Sequence, residues 1–256
     1  MDKIRNRKPH IAVIGDLMID EYIWGSCERI SPEAPVQVVS VQTESTVLGG
    51  AGNVLSNLVA LDAQVSLYSV IGDDSNAPLL HTLIDTLGLK ECNLIIEPSR
   101  ITTKKSRVIA SGQQMLRFDD ETTVAIGLGT QVTLFETLQK HLAHYDAILL
   151  SDYGKGVLTP NLCRDIISHA NALHIPILID PKGTDYSKYH GATLLTPNKK
   201  EAALASNKQI EDDTSLASAL HHFKNTFDLT YAIITLSEDG IGLLDTTVKT
   251  IPTVAR

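Results

Sequence analysis

The chain has 256 residues, with 22 Lys and Arg against 30 Asp and Glu, a formal net charge of −8, and 43% apolar and 20% charged residues. That length and composition suit an ordinary globular protein, either one large α/β domain or two small ones with a substantial core. The acidic balance excludes a general nucleic-acid binder, which needs a basic surface to displace counterions, but it allows one anionic ligand held by a few local Lys and Arg side chains.

The N-terminal MDKIRNRKPH is basic and reads as a solvated tail leading into a strand. The apolar run behind it is cut by Asp16 and Asp20, too short and too charged for a signal peptide or a membrane span, so no membrane partner is expected. Cys27, Cys92 and Cys163 are far apart and no C-x-x-C occurs. Neither a disulfide framework nor a zinc site is indicated, and a reducing cytoplasmic setting is expected.

Short apolar runs ending in polar residues recur along the chain. IAVIGD ends at Asp16, VSLYSVIGDD at Asp73 and Asp74, and AILLSDYGKG contains Asp152 and Lys155. IPILIDPKG ends at Asp180 and Lys182, ATLLTPN at Asn198, and YAIITLSEDG at Ser237 and Glu238. Such runs are continuous rather than alternating, as in strands buried on both faces of a parallel sheet. Between them lie helix-period stretches such as Thr130–Ala143 and Leu162–Leu173. Strand–helix alternation of this kind predicts a doubly wound α/β sheet, whose ligands bind at the carboxyl ends of the strands.

Two segments depart from this pattern. Pro35–Glu44 and Ile101–Asp120 alternate apolar and polar residues and predict antiparallel strands. They form either a small β-sheet over the main domain, a lid spanning about 20–44 and 100–120, or an extension of the main sheet edge. Between them, Gly49, Gly50 and Gly52 precede Asn53 and an apolar stripe at Ala51, Val54, Leu55, Leu58 and Val59, the pattern of an amphipathic helix. A helix N-terminus entered through glycines favours an oxygen-rich or anionic ligand. Neither the Rossmann fingerprint nor a P-loop is present at this turn, which disfavours a dinucleotide oxidoreductase. A local turn capped by Asn53 is the structural alternative. Further on, Asn198 followed three residues later by Glu201 is a capping-box pattern.

GGAGNV, with GD after the first strand, resembles the ribokinase-like (PfkB) carbohydrate kinases. ERISPEAPVQVV, LLSDYGKGVL, LIDPKGTDYSKYHGATLLTPNKKE and LSEDG narrow the resemblance to bacterial D-glycero-β-D-manno-heptose-7-phosphate kinase domains, from about residue 10 to the end. The resemblance implies an α/β fold: a doubly wound, mostly parallel sheet flanked by helices, with a small antiparallel β lid. It implies transfer of the ATP γ-phosphoryl group, with Mg²⁺, to the anomeric hydroxyl of heptose 7-phosphate, a step toward the lipopolysaccharide inner core. Gly49, Gly50, Asn53 and Asp16 would meet sugar hydroxyls, with Asp152 near them. Arg107 and Arg117 would form the seat for the remote 7-phosphate, with Lys155 contributing. Lys182, Asn198, Glu201, Ser237 and Gly240 would lie on the nucleotide side, Glu201 indirectly supporting Mg²⁺. A homodimer through the lid is expected.

In this family a GAGD motif supplies the catalytic aspartate and a glycine-lined anion hole, and no GAGD occurs in the sequence. The resemblance would place it just beyond Arg256, so the chain reads as a single kinase domain, 1–256, lacking its C-terminal part. It is expected to keep the sugar half of the site and to turn over poorly alone. The competing readings are another PfkB-type kinase acting on ribose, fructose or a phosphofructose, and a non-catalytic sugar-phosphate-binding remnant.

Overall fold

The structure, a computed structural model, describes residues 8–253; the basic tail before Lys8 lies outside them. The six strand runs read from the sequence become β1 (His10–Gly15), β4 (Gln64–Ile71), β8 (Ala147–Ser151), β9 (Ile177–Asp180), β10 (Leu194–Leu195) and β11 (Tyr231–Thr235). The six pair in parallel with one another, and β5 (Glu91–Ile96) continues the parallel arrangement beyond β4. An antiparallel hairpin, β12 (Ile241–Leu244) and β13 (Val248–Ile251), closes the other side. The nine-stranded order is β13-β12-β11-β10-β9-β8-β1-β4-β5.

Period-two alternation explains the continuous apolar runs. Along β1, Ala12 and Ile14 enter one core, with Tyr68, Ile148, Leu150, Ile177 and Ile179. Val13 enters the other, with Leu67 and Ile71. The first core is covered by α3 (Leu128–Gln139), α4 (Pro160–Ala172) and α6 (Asp213–Thr226), which contribute Leu134, Ile166 and Phe223. The second is covered by α1 (Ala51–Ala60) and α2 (Ala77–Asp85), through Leu55, Leu80 and Ile84. Each such buried aliphatic side chain stabilises the fold by roughly 1.5–3 kcal/mol relative to exposure.

The helices start where local chemistry predicts. Thr159 accepts the Leu162 N–H ahead of α4, with Pro160 at its first position. Asn198 and Glu201 form a reciprocal capping box on α5 (Lys199–Ser206), and Asp212 with Ser215 forms another on α6.

A separate four-stranded sheet stands over the carboxyl edge of the main one, in the order β3-β2-β6-β7. β2 (Leu17–Ile30) and β3 (Gln37–Gly50) make one long antiparallel hairpin, and β6 (Lys104–Ala110) and β7 (Gln113–Asp120) a second. A parallel seam from β2 to β6 joins them. The alternating segments therefore build their own sheet rather than extending the main one, and β2 begins one residue after β1 ends.

Candidate functional site

The parallel strands deliver Asp16, Asp152, Asp180, Asn198 and Ser237 to one edge of the main sheet. Backbone bonds lock the order of this rim: Asp16 N–H to Ser151 O, Asp152 N–H to Asp180 O, and Thr235 N–H to Pro197 O. The small sheet rises beside its β1 end.

Under that sheet lies a cleft of about 380 Å³, lined by residues that include Asp20, Tyr22, Gly49, Gly50, Asn53, Lys105, Arg107 and Tyr153. Asp20 and Arg107 face each other across the β2–β6 seam, with Nη1 donating to Oδ1 at 2.6 Å. That bond holds the guanidinium pKa above its ordinary value, and the Tyr22 ring lies 5.3 Å beneath it. Lys105 reaches Asp119 and Glu121, both at 3.6 Å.

The glycine turn has a specific geometric reason. A Cβ on Gly49 would lie 2.1 Å from Asp20 Oδ2, so only glycine lets that carboxylate lie against the backbone. Gly50 has φ +57°, and no side chain caps α1 behind it. The Ala51 N–H donates to the Asp16 carbonyl at 3.0 Å, which leaves the Gly52 and Asn53 amides and the exposed Asn53 side chain beside Asp20.

Asp16 does different work. It is 1% exposed, and its carboxylate accepts the backbone N–H groups of Tyr153 (2.8 Å), Lys155 (3.0 Å) and Val157 (3.1 Å). Burial pushes its pKa up while those bonds pull it down. Arg100, 7% exposed, holds the same loop from the other side by donating to the carbonyls of Lys155 and Val124. Gly156, at φ +91°, lets the loop pass the Val124 carbonyl. The outcome is a fixed loop that presents Tyr153 to the cleft.

The other half of the rim is more open. Lys182 Nζ donates to Glu201 Oε1 at 3.1 Å, while Glu201 Oε2 accepts the Asn198 N–H at 3.1 Å. Asp180 is half-buried beside them, and its carboxylate takes no hydrogen bond among the described residues. Burial and the nearby Glu201 raise its pKa from 3.8 to about 6. Tyr153 links the two halves: burial raises its pKa first, followed by Asp180, Asp20 and Glu201.

The structure thus brings Gly49, Gly50, Asn53 and Arg107 around the cleft, and Lys182, Asn198 and Glu201 along the rim. Ser237 is exposed in the β11–β12 turn, next to the Asn198–Thr235 bridge. Gly240 is buried there at φ +99°, where a Cβ would lie 2.0 Å from Ile251 O.

Four expected ligand contacts are placed otherwise. Asp16 is consumed by backbone amides. Asp152, 3% exposed, is consumed by Lys188 (2.5 Å), Tyr189 OH (2.7 Å) and Gly154 N–H (2.7 Å). Lys155 turns to Glu121 at 2.7 Å. Arg117 sits on the edge strand β7, half-exposed and paired with Asp119 at 3.0 Å. Sequence reading missed Asp20, Tyr22, Lys105 and Tyr153. The available signal was the alternation of Met18, Asp20 and Tyr22, which places all three on one face once β2 is recognised as a strand.

A family model described as pfkB family carbohydrate kinase matches residues 8–255. The chain belongs to that family. It is 53% identical over 98% of its length to the bifunctional protein HldE of Aliarcobacter butzleri, and 51% identical over its full length to that of Sulfurimonas denitrificans. It spans about half the length of these curated relatives, 53% and 54%. Among solved structures, the tetrameric inhibited form of Escherichia coli phosphofructokinase-2 superimposes with a TM-score of 0.75 at 17% identity, over 97% of this chain and 81% of that one. Arabidopsis thaliana ribokinase, complexed with ribose and ATP, gives 0.69 at 13% identity, over 97% and 79%. The shared fold is ribokinase-like. No helix among the described residues is long and apolar enough to cross a membrane.

Proposed function

We propose that this chain is a cytoplasmic sugar-phosphate kinase domain that transfers the γ-phosphoryl group of ATP to the anomeric hydroxyl of D-glycero-β-D-manno-heptose 7-phosphate, yielding the 1,7-bisphosphate and ADP in ADP-heptose formation. The observation that carries the reading is the cleft itself. Asp20, Asn53 and the α1 amides offer partners for hydroxyls, and Lys105 and Arg107 offer a seat for a phosphate. Arg107 releases part of its hold on Asp20 when a dianion arrives, which frees Asp20 to accept sugar hydroxyls.

Sugar and nucleotide meet at Tyr153, between cleft and rim. The acceptor oxygen attacks the γ-phosphorus, ADP leaves, and the acceptor proton must pass to a carboxylate base. The family's base lies in GAGD, a tetrapeptide not found in the sequence, so the 256-residue chain alone turns over poorly. Lys182 exchanges Glu201 for nucleotide phosphate, a charge-for-charge swap at an exposed position. Asp180, with its unbonded carboxylate, would hold a Mg²⁺ ion bound with ATP, with Glu201 supporting it, and the ion would supply neutralisation of phosphate charge.

The exposed apolar residues Val41, Leu116 and Phe118 on the small sheet support a homodimer contact there. A direct test is calorimetric titration with heptose 7-phosphate, fructose 6-phosphate and ribose, alongside an ATP-coupled assay. Preferential binding of heptose 7-phosphate with poor turnover is expected. Tighter binding of fructose 6-phosphate overturns the substrate, and turnover near that of a complete kinase overturns the incomplete site. Sugar-phosphate binding with no ATP consumption would instead support the remnant reading.

A further inference from the structure

A second cavity, about 340 Å³, opens where α4 begins, away from the sugar cleft; Pro160, Arg164, Ser187, Lys188 and His190 line it. Its walls carry an arginine, a lysine and a histidine and no carboxylate. The side chains of Arg164 and His190 are exposed and make no hydrogen bond or ion pair among the described residues. Arg164 also borders the neighbouring groove between α3 and α4, where Glu136 and Asp165 lie; neither carboxylate lines this cavity. Asp185 accepts the Ser187 N–H at 2.9 Å and is not part of the wall.

Lys188 connects this cavity to the rim. Its ammonium donates to Asp152 Oδ2 at 2.5 Å and to Leu158 O at 3.1 Å. Behind it, Asp152 is sealed from solvent and branches two ways. Oδ1 accepts the Gly154 N–H at 2.7 Å, in the loop that presents Tyr153 to the sugar cleft. Oδ2 also accepts the Tyr189 hydroxyl at 2.7 Å, and that hydroxyl accepts the Lys182 N–H at 3.3 Å on the nucleotide side. One cation at the cavity wall is therefore hydrogen-bonded, through one buried carboxylate, to both halves of the rim.

We propose that this cavity is a regulatory site for a phosphate group carried on a small metabolite, clamped by Arg164 and His190 and sensed by Lys188. Guanidinium, imidazole and ammonium converge on a space large enough for a phosphate and a few attached carbons, a donor set matched to a dianion. A bound phosphate competes with Asp152 for Lys188. Asp152, still buried, then leans more heavily on Gly154 N–H and Tyr189 OH, so the signal reaches the Tyr153 loop through a bond already made.

The experiment is an NMR titration of the nitrogen-15-labelled chain with inorganic phosphate and, separately, glycerol 3-phosphate. Three proteins are compared: wild type, Arg107→Ala to remove the cleft's anion seat, and Arg164→Ala/His190→Ala. Both residues of the double variant are exposed and unpaired, so its melting temperature should match wild type. Expected are saturable shifts of the Ser187, Lys188 and Gly154 amides that survive Arg107→Ala and weaken at least about tenfold in the double variant. Tighter binding of glycerol 3-phosphate assigns the phosphomonoester, and equal affinity assigns free phosphate. Unchanged binding in the double variant, or no movement at 187–190, overturns the site. Movement at 187–190 without movement of Gly154 overturns the relay. No arm depends on turnover, so failure here is distinguishable from failure of the kinase reading.

Discussion

The cleft under the small sheet and the rim at the carboxyl ends of the main-sheet strands are held by different kinds of contact. The cleft depends on partners remote in sequence: Asp20 with Arg107, 87 residues apart, and Asp16 with a loop 137–141 residues away. The rim depends on neighbours: the reciprocal Asn198–Glu201 box spans three residues, and Lys182 joins it from 19 residues away at an exposed position. The bonds from Asp16 to its loop fix one wall of the cleft before any ligand arrives, which lowers the ordering cost of binding, while the part-buried Asp20–Arg107 pair is set by the β2–β6 seam. Exposed short-range pairs contribute little stability and exchange partners readily. This chain therefore has a largely preorganised cleft beside a rearrangeable rim.

The largest test of that contrast is Asp16→Ala. It leaves three backbone N–H groups without their acceptor in a buried loop, and urea denaturation should show a loss on the order of 3 kcal/mol or more. A loss within about 0.5 kcal/mol would mean that the loop is held by something other than Asp16. Next comes Asp20→Ala, which removes a charged hydroxyl acceptor and unpairs Arg107. Sugar-phosphate affinity should fall roughly 10–100-fold by calorimetry with the fold intact.

These two residues also mark how far the sequence could be read. The six parallel strands were legible because burial on both faces leaves uninterrupted apolar runs, and the Asn198–Glu201 cap because its spacing is local. Asp16 and Asp152 both read as strand-end carboxylates facing a ligand, and the structure turns both inward. Nothing near Asp152 in sequence announces Lys188, since the partner of a strand-end carboxylate is set by which segments the fold brings behind it. Asp20 was hidden for a related reason. β2 follows β1 after one residue, and its role as a wall emerges only when β6 pairs alongside it.

On the rim the effects are smaller. Folding raises the Asp180 pKa from 3.8 to about 6, so its contribution to stability is fully present below the lower value and is lost as pH rises through the upper one. Relative to wild type, Asp180→Asn should therefore gain melting temperature as pH increases across that window. A difference that is flat with pH would show that Asp180 ionises normally. Glu201→Gln keeps the shape of the cap but loses the Lys182 pair and weakens the bond to Asn198 N–H. A thermal melt should register about 0.5–1 kcal/mol, mostly from the cap.

The proposed function stands or falls on Arg107 as the phosphate seat under the small sheet, one strand inside the Arg117 that shares its register. Calorimetric titration of heptose 7-phosphate into Arg107→Ala and Arg117→Ala tests it without requiring turnover. At least about tenfold weaker binding is expected for Arg107→Ala and wild-type binding for Arg117→Ala. Wild-type affinity in Arg107→Ala, or equal losses in both variants, would contradict it.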